Sequence, residues 1–89
     1  MPNSIAKKFP PNYWSWLQEH PDDVVSAIVR VDTLSSEVEV AITEAGCRVM
    51  RRLQLLPAFA VEVTAKTLLE LAKHPWVQRI EPDKPVQML

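Results

Sequence analysis

With 89 residues, a formal net charge of −1, 47% hydrophobic and 24% charged side chains, the chain has the size and composition of one globular domain. That charge balance excludes a protein that grips nucleic acid by neutralising phosphates, which needs a basic surplus. A lone cysteine, Cys47, excludes an intrachain disulfide and a cysteine-based zinc site, and a lone glycine excludes a glycine-rich phosphate loop.

Met1 to Phe9 holds no apolar run of signal-peptide length, and no later stretch is long and apolar enough for a membrane-spanning helix. The expectation is a soluble product with no membrane partner, cytoplasmic if the sequence is complete. Residues 1–23 read as an N-terminal extension. In it Pro10-Pro11-Asn12 signals a turn, Asn12 is placed to cap a short helix over Tyr13–Glu19, and His20-Pro21 ends that helix. Tyr13, Trp14 and Trp16 on this helix suit packing on an edge of the domain, with contact to a partner as the alternative.

Residues 24–83 read as the folded unit. Val24 to Asp32 is rich in β-branched residues and predicts a strand, with Val25, Ala27, Val29 and Val31 on a core face and Ser26, Ile28 and Arg30 on the other. Ser36-Glu37-Val38-Glu39 has the form of a capping box, followed by Val38, Ala41, Ile42 and Ala45 at helical spacing and by Gly46 at a C-cap. Cys47 to Leu55 predicts a strand with Val49 and Leu53 on one face and Met50, Arg52 and Gln54 on the other. After Leu56-Pro57, the alternation of Ala58-Phe59-Ala60-Val61-Glu62-Val63 predicts its hairpin partner. Thr64 caps a second helix carrying Ala65, Leu68, Leu69 and Ala72, which Pro75 stops, and Val77–Glu81 forms a last strand. Residues 84–89 read as an extended tail.

The order β-α-β-β-α-β predicts an α+β, ferredoxin-like fold: a four-stranded antiparallel sheet with two helices on one face. Nothing in the chain is expected to cover the other face, where Ile28, Met50, Ala58 and Ala60 are too apolar or too small for an ordinary solvated surface. Signs of catalysis are weak. His20 and His74 lack acids at ligand spacing and suit surface or capping roles, and Cys47 at a strand start suits a small buried residue better than a nucleophile. No residue set calls for a metal or another cofactor, and the chain is expected not to be an enzyme.

Three stretches together resemble the inhibitor I9 family, the propeptides of subtilisin-like serine proteases. They are Ala27-Ile28-Val29-Arg30-Val31, Leu56-Pro57-Ala58-Phe59-Ala60-Val61-Glu62-Val63, and His74-Pro75-Trp76-Val77-Gln78-Arg79-Ile80-Glu81-Pro82-Asp83. The resemblance implies an inhibitor, with a role in templating the fold of its protease. Its open sheet face, with Ile28, Met50, Ala58 and Ala60, would lie on two parallel surface helices of the enzyme. Glu81 and Asp83 would cap the N-termini of those helices. The tail would enter the active-site cleft as a product-like strand, with Leu89 in S1, Met88 in S2, Gln87 in S3 and Val86 in S4. Ala58 stands where the family often has glycine, and residues 1–23 fall outside its usual pattern. No protease domain follows Leu89, so the expectation is a free-standing inhibitor or a propeptide region detached from its enzyme. The competing reading is a ferredoxin-like regulatory or assembly module that pairs with its own copy through the sheet face, or binds a partner through Trp14 and Trp16. An acylphosphatase-like enzyme on this topology would need the phosphate cradle that one glycine cannot build.

Overall fold

The computed structural model describes residues 5–83. After a 3₁₀ turn over Ala6–Lys8 come α1 (Pro11–Glu19), β1 (Val24–Val31), α2 (Ser36–Glu44), β2 (Arg48–Leu53), β3 (Ala58–Thr64), α3 (Ala65–Leu71) and β4 (Val77–Pro82). The four strands form one antiparallel sheet in the order β2-β3-β1-β4, the split arrangement of a ferredoxin-like α+β fold.

Period-2 alternation places Ala27, Val29 and Val31 of β1 and Phe59, Val61 and Val63 of β3 in a single hydrophobic cluster, and Val77 and Ile80 of β4, three residues apart, join it because the β1–β4 register shifts between Arg30 and Val31. Ile42 of α2 and Ala65, Leu68 and Leu71 of α3 close over it. So do Phe9, Tyr13 and Leu17, which brings α1 and the turn before it onto the same side of the sheet as the other two helices. Leu17 is wholly buried, and Trp14 and Trp16 pack partly buried against the cluster. Lys8 fastens this segment: its Nζ donates to the carbonyls of Ala72 (2.7 Å) and His74 (3.0 Å) just beyond the end of α3, where a cation meets the negative end of the helix. Desolvation there lowers the Lys8 pKa, against the raising influence of Asp32.

The helix ends differ from the sequence-based expectation by one residue or two. α1 begins with Pro11 at its first position after an extended Pro10, so Asn12 lies inside the helix and caps nothing. Ser35, not Ser36, caps α2: its backbone is extended and its hydroxyl accepts the Val38 N–H at 3.1 Å. That register leaves Glu39 one place beyond the box position, and its carboxylate instead accepts from Arg52 Nε of β2 at 2.6 Å. Thr64 caps α3 through the Thr67 N–H at 3.3 Å. The end of α2 is a Schellman turn, with Gly46 N–H bonded to Thr43 O, Cys47 N–H bonded to Ile42 O, and Gly46 at φ +111°.

β2 corrects the predicted alternation. Val49 pairs with Val61 but Arg51, rather than Met50, pairs with Ala60, so Met50 is the extra residue of a bulge. Beyond it the faces exchange: Arg52 joins the helix side opposite Phe59, while Arg51 and Leu53 join the far side opposite Ala60 and Ala58.

Two buried groups set the alkaline behaviour of the fold. Burial pushes the Tyr13 phenol up to about 12 and the Cys47 thiol up to about 11. In each the folded state favours the protonated form. Its contribution is therefore complete below the ordinary value, 9.0 for the thiol and 10.0 for the phenol, and declines as pH rises toward the raised one. The Tyr13 hydroxyl is buried with no hydrogen-bond partner among the described residues. Tyr13→Phe is accordingly expected to raise stability by about 1 kcal/mol at neutral pH and to flatten the decline in the tyrosine range, as read by urea unfolding at a series of pH values. Gly46→Ala, which forces an L side chain to positive φ, is expected to lower the urea stability by roughly 1–2 kcal/mol with an unchanged m-value.

Candidate functional site

The face of the sheet turned away from the helices is a grid of three rows across four strands. In the order β2-β3-β1-β4, one row is Leu53, Ala58, Arg30 and Arg79, and the next is Arg51, Ala60, Ile28 and Glu81. The third is Arg48, Glu62, Ser26 and Asp83, the last held by its N–H on Ser26 O at 3.0 Å just past the end of β4. None of these residues belongs to the core cluster under the helices, so among the described residues this face has no second layer.

Its floor is nevertheless closed. Ala58 and Ala60 are 1% and 0% exposed although no helix covers them. Their shortness lets side chains from the flanking strands fold inward over them. Arg51 does so most visibly. Its Nη2 lies 3.4 Å from the Asp83 carboxylate, two intervening strands and roughly 14 Å of sheet away at the usual strand spacing. A larger residue at 60, directly opposite Arg51, would stand in the path of that guanidinium. The aliphatic stem of Arg51 thereby covers apolar surface while its head stays wet.

The charges of the grid are organised in pairs. Arg48 faces its cross-strand neighbour Glu62 at 3.7 Å, Arg51 reaches Asp83 at 3.4 Å, and Arg79 Nε donates to Glu81 Oε2 at 2.8 Å. Glu81 and Asp83 thus sit on the same face, next to each other in the sheet, and each meets an arginine of its own chain. Of the residues singled out from sequence, Ile28, Ala58, Ala60, Glu81 and Asp83 are brought together on this surface. Met50 lies at the β2 bulge on the sheet margin, half exposed. Val86, Gln87, Met88 and Leu89 lie outside the described residues. The arginines of the grid were not anticipated as a set. Only the bulge turns Arg51 to this face.

As chemistry, the grid offers contacts rather than a reactive centre. The nucleophile considered from sequence, Cys47, is 4% exposed, and burial holds its thiol protonated across the neutral range. His20 stacks on Trp16 with its Nδ1 2.8 Å from Trp16 O, and His74 stacks on Trp76; each is engaged with its own neighbour.

No curated protein matches the chain at a significant level. The sequence profile described as peptidase inhibitor I9 matches residues 16–89, from the middle of α1 through all four strands. A sheet with helices on one side only agrees with that match, and the chain belongs to the peptidase inhibitor I9 family, the propeptide domain of subtilisins.

Proposed function

We propose that the chain inhibits subtilisin-like serine proteases by laying the open face of its sheet on the enzyme and presenting residues 86–89 to the active-site cleft as a product-like strand. The observation that carries this reading is the one-sided packing: three helices share one face of the sheet, and the other ends at Glu81 and Asp83, immediately before the tail. In this reading two enzyme helices lie across the rows of the grid, and Ile28, Met50, Ala58 and Ala60 meet their flanks. The alanines permit close approach once the side chains above them swing aside.

Glu81 and Asp83 are the acids placed to accept free amides at the N-termini of those helices, where the helix dipole favours an anion. Both are paired with arginines in the free chain, but exposed ion pairs are worth at most about 1 kcal/mol. Exchanging an arginine for a set of helix amides is therefore an affordable step for the complex. Leu89 and Val86 supply apolar side chains for S1 and S4, and the backbone between them pairs with the edges of the cleft.

Residual activity of a subtilisin titrated with the chain tests the reading. Inhibition is expected well below millimolar, and its absence at millimolar chain would sink the proposal. Deleting residues 86–89 is expected to weaken inhibition by about ten- to a hundredfold or more, on the scale of one buried leucine, and Leu89→Asp alone by a similar factor. Unfolding curves of both variants should match the parent. A stable dimer in light scattering, with the sheet face buried in it, would favour the assembly module instead.

A further inference from the structure

We propose that Arg30 selects which proteases this inhibitor accepts, by requiring a carboxylate on the enzyme surface that covers the row Leu53–Ala58–Arg30–Arg79; the inference rests on the docking reading above. Arg30 is half-buried on the central strand β1, facing Ala58 of β3 on one side and Arg79 of β4 on the other. All three acids of the grid are engaged elsewhere: Glu62 with Arg48, Asp83 with Arg51, and Glu81 with Arg79. Arg30 has no ion pair among the described residues. Its neighbour across the strand carries the same charge, an arrangement that repels.

Arg30 is only half-buried, so part of its side chain meets water in the free chain. A partner lying on the sheet removes that water, and no carboxylate of the grid is left to replace it. Burying a charge without a counter-ion is among the costliest events at an interface. Conversely, a carboxylate delivered to the same place forms charge-assisted, bidentate hydrogen bonds with a fork that no acid among the described residues occupies. The same residue therefore rewards one kind of enzyme surface and penalises the others, which is how selectivity is built. Four arginines against three acids give the face a surplus of one positive charge, although the whole chain carries a net charge of −1, so the complementary surface is acidic.

The test uses the intact chain and one subtilisin that it inhibits. Inhibition constants of the parent, Arg30→Met and Arg30→Lys are measured against the enzyme and against variants in which each acid of its two surface helices is neutralised singly. One neutralisation is expected to weaken the parent about tenfold or more while leaving Arg30→Met unchanged, since a coupled charge pair responds only when both members are present. Arg30→Lys, which keeps the charge but loses the fork, is expected to fall between the two. Arg30→Met inhibiting the unmodified enzyme as well as the parent, or no acid coupling to position 30, overturns the inference while leaving the docking reading intact. A parent chain that inhibits no subtilisin removes both. Matching thermal midpoints of the variants exclude a folding defect.

Discussion

A sheet whose two faces are treated differently governs the rest of this structure. On β1 and β3, the two central strands, one set of alternate residues is fully apolar and must be sealed from water by a second layer. Three helices provide that layer, and all of them are spent on the same side. The opposite face must then remain stable against water on its own. It does so by keeping its central positions small: at Ala58 and Ala60 there is little apolar surface to hide, and the long stems of flanking residues suffice to hide it. Larger side chains there would either stand exposed or demand another layer. Small floor and arginine cover are thus two parts of one solution, and together they leave a surface that is closed to water yet can be reopened by moving side chains alone.

The N-terminal segment contributes to that surface from behind. Phe9, Tyr13 and Leu17 enlarge the core, which matters for a domain of this size, whose buried fraction is limited by its surface. The 3₁₀ turn also packs on β4, the edge strand that carries Glu81 and leads to Asp83, while Lys8 ties the same segment to the end of α3. Like β2 at the opposite edge, β4 has only one hydrogen-bonded neighbour, and the turn adds a further contact to it. Holding it from the helix side keeps the two acids at fixed positions on the other.

Much of this was legible in the sequence because each signal was local. The alternation in β1 and β3, the cap at Thr64 and the positive-φ glycine at 46 each depend on residues within one turn or one strand. What escaped depends on tertiary choices. Ser35 and Ser36 are equally able to cap, and the register of α2, not the side chain, decides between them. The bulge at Met50 is invisible in composition, yet it exchanges Arg52 and Arg51 between faces and so determines which arginine can reach Asp83. That Arg30 has no ion pair among the described residues is still less accessible, because it follows from where three other arginines and three acids fall across four strands.

These charges also bear on how such a face can be both adhesive and discriminating. Its apolar content is modest: Ile28 and Leu53 are only partly exposed, and the alanines offer small contact areas. Tight association therefore has to draw on the tail and on the exchange of ion pairs. Those pairs are surface pairs, weak enough to be broken without great loss, and their arginines remain at the rim where water and partner acids can still reach them. Arg30 differs in position rather than in chemistry. On the central strand β1, with a like charge opposite it on β4 and no acid in its row, Arg30 takes its counter-charge in a complex from the partner. Three paired charges that can be exchanged, beside one charge that must be matched, separate the two demands: the pairs adjust to a surface, and Arg30 decides whether that surface is acceptable.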